Sequence, residues 1–297
     1  MSNGENNNPM KAITLILALF LGFFGLSAQD KDGSFHLDKA YALANTGTIH
    51  LKSSDAKVYI SGSNRADVHV KVDRTVTIKG LTFGHQEFAV NVTEEHGDLQ
   101  IEERSNQVVS GIVGYYDEKY TITIEAPLGA SLKIKGDDGD YWISHLSGAI
   151  SIDIDDADVE LSDCTGTSFE FKVDDGDIKM DKATGRVTID ADDSDVEIRQ
   201  ANLSSLDADM DDGKLIVETV LNNQGEYRIN AQDGLIQFRV TGGGGTFVIR
   251  HDDGRIIADA GYQTVEDSEN RTRLTLGNGT AMVNIHTDDA RVRLEKK

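Results

Sequence analysis

Carboxylates carry most of the chemistry open to this chain, and they come in pairs at a regular spacing. An Asp-Asp-Gly-like triplet stands at Asp137-Asp138-Gly139, Asp155-Asp156-Ala157, Asp174-Asp175-Gly176, Asp192-Asp193-Ser194 and Asp211-Asp212-Gly213. It returns at Gln232-Asp233-Gly234, Asp252-Asp253-Gly254 and Asp288-Asp289-Ala290. The middle residues fall at 138, 156, 175, 193, 212, 233, 253 and 289, so the steps are 18, 19, 18, 19, 21, 20 and 36. Paired acids can ligate a hard cation. Calcium takes about 6–8 oxygens at roughly 2.3–2.6 Å, and stacked repeats would offer carboxylates and turn carbonyls together. Asp155, Asp156, Asp174, Asp175, Asp192 and Asp193 are the candidate calcium ligands on that reading. The pattern is neither an EF-hand loop with its closing Glu nor the calcium-binding nonapeptide repeat. A plainer reading is structural: Asp and Gly make tight turns, solvated acids keep a rod soluble, and no cofactor is needed.

Other chemistries find less support. Two carboxylates can hydrolyse a glycoside, but these acids recur at equivalent positions, as scaffold residues do. The eight histidines are scattered without an HExxH pair, and neither a GxSxG elbow nor a GxxxxGK[ST] phosphate loop is present. The run Gly242–Gly245 precedes no helical pattern, so it reads as a flexible corner rather than a phosphate cradle. The single cysteine, Cys164, excludes an intrachain disulfide and a CxxC zinc site. A chain of 297 residues with 51 acidic against 29 basic side chains, net charge −22, does not suit a nucleic-acid partner. The expectation is a protein that is not an enzyme.

The elements that position the triplets are strands. Leu132 and Ile134 precede the first triplet with period two, and Ile150 and Ile152, Phe169 and Phe171, and Val187 and Ile189 precede the next three. Tyr141 and Ile143, Val159 and Leu161, Ile178 and Met180, and Val196 and Ile198 follow them in the same way. Alternation of this kind is the strand signature. A third apolar column, Leu146, Cys164, Ala183 and Ala201, suits a narrow core enclosed on several sides, where Cys164 is a small buried residue. The chain is therefore expected to be all-β, a parallel β-solenoid with coils of about 18–20 residues. An antiparallel β-meander or sandwich is the alternative.

Residues 46–130 read as a less regular version of the same build, with Ile49, Leu51, Val58 and Ile60 bracketing Ser54-Asp55-Ala56. Within them 105–119 reads as a loop whose Ile112, Val113, Tyr115 and Tyr116 fold over an open core end. The 36-residue step is expected to hide one degenerate coil around Arg273–Leu276. Residues 131–297 form the regular repeat region, and 29–45 a linker or N-terminal cap. At the front, Lys11 and the apolar run Ala12–Leu26 lead to Ser27-Ala28, the form of a removed signal peptide over residues 1–28, with Met10 as an alternative start. No later run is long and apolar enough for a spanning helix, so the mature chain is expected to carry no transmembrane segment.

The segment Ile124-Glu125-Ala126-Pro127-Leu128-Gly129-Ala130-Ser131-Leu132-Lys133-Ile134, followed by spaced Asp-Gly corners, resembles the bacterial putative-adhesin domain family of unknown function. The upstream pattern Gly47-Thr48-Ile49-His50-Leu51 through Val58-Tyr59-Ile60 fits the opening strands of that family, and the likeness covers roughly residues 46–295. It implies a β-solenoid exported to the cell envelope and carries over no catalytic residues. This chain departs from it in placing Asp-Asp where the family more often has Ser or Thr before the corner. The expected function is an exported, non-catalytic adhesion or interaction module, in the periplasm, at the cell surface or secreted. Its partner would be a protein or glycan of the envelope. A structural or regulatory spacer is one alternative and a carbohydrate-active enzyme a weaker one. Tyr59, Trp142 and Tyr262 are the aromatics that an outer binding face would use.

Overall fold

The computed structural model describes residues 28–29 and 34–297, and all the regular structure within them is β-strand. The expected signal peptide lies outside the described residues except for Ala28. Among the described residues no helix is long and apolar enough to cross a membrane.

Alternation decides which side of each strand is buried. In Ser131–Gly136 the side chains of Leu132 and Ile134 point into the core, while Lys133 and Lys135 point out. The same holds along the repeats to Val292 and Leu294, with an exception at Ile256, half-buried, and Ala258, exposed. Leu146, Cys164, Ala183 and Ala201 are buried as a third lining of the core. Burying one aliphatic side chain is worth roughly 1.5–3 kcal/mol. A slip of one residue would turn every one of them to solvent, so the register is strongly specified.

Strands on either side of a triplet pair with their copies in neighbouring repeats. Ser131–Gly136 runs parallel to Ile150–Asp156 with Leu132 opposite Ile150, and Asp140–Ser144 runs parallel to Val159–Ser162 with Tyr141 opposite Val159. Phe169 in Ser168–Asp181 lies opposite Ile150 on one side and Val187 of Thr184–Leu221 on the other. Each rung therefore adds one strand to a first ladder, before the triplet, and one to a second ladder, after it. The antiparallel meander does not describe these rungs.

The corners explain the glycines. Gly176 has φ +134°, and a Cβ there would stand 2.1 Å from the carbonyl oxygen of Ala157 in the rung beneath. Gly213 has φ +112° and would meet the carbonyl oxygen of Ser194 at 2.2 Å. Only glycine combines that backbone conformation with so close an approach.

Both ends depart from sequential stacking, and the sheet is mixed. Thr48–Ser53 and Lys57–Ser63 form a rung held between the 131–144 rung and the two ends of the strand Asp98–Pro127. At the other end the last strands, Ala281–Thr287 and Arg291–Lys296, insert between two earlier rungs. One neighbour is Glu226–Ala231 with Leu235–Gly243, and the other is Gly245–His251 with Ile256–Ala258. Arg271–Leu276 is not a degenerate coil. It pairs antiparallel with Gly245–His251 and with Tyr262–Ser268, closing the end as a hairpin. Apolar alternation has no direction, which is why a parallel rung and an antiparallel cap look alike in the sequence.

Residues 105–119 are not a loop. Asp67–Glu95 and Asp98–Pro127 pair antiparallel from His69 opposite Glu125 to Glu95 opposite Asp98, with a register shift between Phe83 and Gly84, and Phe35–Ala42 adds antiparallel to the first of them. Ile101 serves the first ladder opposite Leu51, and Ile122 serves the second opposite Val58. The backbone between them leaves the stack where other rungs have a triplet, as a two-stranded arm. At its root Arg74 is 1% exposed, its Nε donates to Glu118 at 2.6 Å and its guanidinium lies 4.1 Å from the centre of the Phe88 ring. Tyr115 is 54% exposed and Tyr116 39%, so they do not cover the core. The side chains of Ile112 and Val113 lie outside the described residues.

Candidate functional site

The outer side of the second ladder carries two lanes of side chains, set by strand alternation and by the parallel register. In the first lane Tyr59 stands opposite Trp142, Trp142 opposite Glu160, Glu160 opposite Lys179 and Lys179 opposite Glu197. Two residues further along each strand, Ser61, Ser144, Ser162, Asp181 and Arg199 follow one another in the same order. The lanes line an open groove of about 560 Å³. The rings of Tyr59 and Trp142 stack with centres 4.7 Å apart and planes 11° from parallel, and Tyr59 is 42% exposed.

The charges in the groove are fixed by neighbours on their own strands. Lys179 Nζ donates to Asp177 at 3.1 Å, and this bond holds its ammonium above the ordinary lysine value. The Arg199 guanidinium donates to Glu197, which raises its affinity for the proton further. The result is an aromatic stack followed by hydroxyls, carboxylates and firmly charged cations at rung spacing. Each ring covers one face of the other, so the stack offers its ring edges and outer faces for apolar contact, and the second lane offers hydroxyls for hydrogen bonds. Glu160 and Glu197 are two rungs apart, roughly 9–10 Å, with Lys179 between them, and neither is buried.

Tyr262 does not join this surface. It is buried in the end cap, 5.2 Å from Phe247 centre to centre, and its hydroxyl donates to the carbonyl of Glu295 at 3.2 Å.

The aspartate rows lie along the corner between the ladders. Asp156, Asp175 and Asp193 stand directly opposite one another, and Asp155, Asp174 and Asp192 precede them; all six are exposed. Loss of solvent at Asp175, together with the charges of Asp156 and Asp193 and a hydrogen bond with Asp156, raises its carboxyl above the ordinary value. Among the described residues no group of three or more His, Cys, Asp or Glu side chains comes close enough to hold a metal ion. The aspartates just after the triplets have a role that residue type alone did not signal. Asp158 Oδ1 accepts the backbone N–H of Asp177 at 3.0 Å, and Asp195 Oδ1 accepts that of Lys214 at 3.0 Å, each pinning the next rung. Cys164 is fully buried with its Sγ 3.5 Å from the Ser162 carbonyl, and burial raises its thiol pKa.

Residues 46–295 match the family model described as Toastrack DUF4097. The chain belongs to that family. The Toastrack stretch includes Tyr59, Trp142 and every rung of the groove. No curated protein matches the chain. Solved structures that resemble it include a putative cell adhesion protein from Clostridium sporogenes, 14% identical, covering 88% of this chain and 100% of that one, with a TM-score of 0.28. A putative adhesin from Bacteroides fragilis is 13% identical over 87% of this chain and 96% of its own, with a TM-score of 0.39. A putative lipid binding protein from Parabacteroides distasonis is 10% identical over the same shares, 87% and 96%, with a TM-score of 0.41.

Proposed function

We propose that this Toastrack protein is an exported, non-catalytic interaction module of the bacterial envelope, a solenoid-like rod that binds a glycan along its second ladder. The observation that carries the reading is the Tyr59–Trp142 stack at the head of an open, hydroxyl-lined groove. Aromatic faces bury large apolar area at little cost in side-chain freedom. The signal-like segment before Ala28 supports export. The open groove, with its exposed or half-exposed acids, supports binding without turnover.

The first ladder favours a second role as a spacer along part of its outer face. There Lys135, Asp153, Lys172 and Asp190 alternate in charge from rung to rung, a solvated surface that needs no partner. The two roles are compatible in one rod.

The test is a screen of immobilised oligosaccharides with the wild-type chain and Trp142→Ala. The proposal expects retention on at least one neutral glycan and loss of it in the variant at a temperature where its melting curve shows it still folded. Equal retention of both proteins on every glycan bound, or retention on none, would overturn it.

A further inference from the structure

A second groove lies on the other ladder, and its charge is opposite to that of the whole molecule. It occupies about 730 Å³ between Phe35–Ala42 and the outer side of the first ladder at its N-terminal end. Lys39, His50, Lys52, Arg104, Lys133 and Lys135 line it, against two acids, Glu95 and Glu102. In a chain with 51 acidic and 29 basic side chains, such a concentration of cations is a local reversal.

The register sharpens this. Along one lane the residues opposite one another are Glu102, Lys52, Lys135, Asp153, Lys172 and Asp190. Every neighbouring pair in that lane has opposite charges except Lys52 and Lys135. In the adjacent lane His50 stands opposite Lys133. Like charges directly across a ladder destabilise it, and Lys52 and Lys135 sit in the strand register rather than on a mobile loop. Lys135 is neutralised by Asp153 at 2.9 Å and Arg104 by Glu102 at 3.1 Å. Lys133 closes no ion pair among the described residues, and Lys52 faces only Glu102 across the ladder without closing one; both are exposed, diagonal to each other on neighbouring strands. Two exposed ammonium groups without a closed ion pair, set diagonally on neighbouring strands, form a receptor for acidic groups carried at similar spacing.

We propose that this groove binds an acidic glycan, with Lys52 and Lys133 meeting its carboxylate or sulfate groups and Lys39 at the margin. An extended, sparsely charged sugar chain suits two lanes of cations on a flat strand face. A densely charged nucleic acid would meet repulsion from the acidic remainder of the rod. The inference does not depend on the Tyr59–Trp142 groove, which lies on the other ladder.

The experiment measures binding of oligogalacturonate and dextran sulfate to the full chain, with neutral dextran, double-stranded DNA and phosphatidylglycerol vesicles as comparison probes. The expected result is binding of at least one acidic glycan that weakens tenfold or more in Lys52→Glu/Lys133→Glu and falls as salt rises. Lys172→Glu, on the same lane between Asp153 and Asp190, should leave it unchanged. The milder Lys52→Gln/Lys133→Gln, with a melting curve, guards against loss of fold and should give an intermediate loss. Equal binding by the charge-reversed protein, or binding of DNA or vesicles but of neither acidic glycan, would overturn the proposal.

Discussion

Tyr59 and Trp142 are stacked face to face although the whole two-stranded arm separates them in the chain. The contact exists because, after the arm, the 131–144 rung returns to lie directly on the 48–63 rung. A double-mutant cycle with Tyr59→Ala and Trp142→Ala should give a coupling of about 0.5–1.5 kcal/mol in chemical denaturation. Additive losses would mean that the rings do not touch in solution.

Gly176 is a corner at which a side chain is poorly tolerated. Gly176→Ala must place its Cβ against the Ala157 carbonyl while holding a positive φ. The expected loss is about 1–3 kcal/mol of stability, read from a denaturant midpoint at unchanged slope. Alanine already stands at the equivalent position 157, so a neutral result would show that corner backbones adjust from rung to rung.

The aspartate row makes a prediction of opposite sign. Loss of solvent and the neighbouring carboxylates raise the Asp175 pKa in the folded state, so the fold binds that proton more tightly than the unfolded chain does. The favourable proton-linked contribution is complete below the unfolded value of about 3.9 and is lost as pH rises through the folded value. At pH 7 the ionised group therefore opposes folding, and Asp175→Asn should raise the melting temperature there and give no gain near pH 3. Millimolar calcium added to the wild type tests the same row. A rise in melting temperature that Asp175→Asn abolishes would assign the ion to these residues.

The inserted C-terminal rung is held by Glu295, which accepts from Arg239 and Arg293 at 2.7 Å each and from Gln237 at 2.8 Å. Burial pushes its carboxyl upward, but the bonds from Arg239 and Gln237 and the two guanidinium charges outweigh this and hold it below the ordinary value. Its contribution is present above the unfolded pKa of about 4.3 and fades as pH falls through the lower folded value. Glu295→Gln should cost about 1–3 kcal/mol at pH 7 and progressively less as pH falls through the folded value. A cost independent of pH would separate the residue's packing from its charge.

Sequence periodicity carried the rungs because burial imposes it. Leu132 through Leu294 repeat at offsets that only stacked strands require, and the corner triplets mark where the chain turns. The arm was not legible, since the pairing of Asp67–Glu95 with Asp98–Pro127 depends on long-range partners that Ser105–Lys119 does not announce. Nor was the place of Ala281–Lys296, because any rung offers the same apolar pattern to two neighbours. Tyr59 and Trp142 occupy equivalent positions after their corners, so their shared face was readable, while their adjacency was not. Tyr262 was misplaced because a lone aromatic in an end cap looks the same in sequence as one on a face.

Trp142 is the only tryptophan in the chain, so its fluorescence reports on the groove alone. Titrating the protein with a neutral oligosaccharide found in the screen should shift or quench that emission in a saturable way, and Tyr59→Ala should weaken the response about tenfold. A glycan that binds by calorimetry while leaving the Trp142 emission unchanged would contradict the assignment of this groove as the binding site.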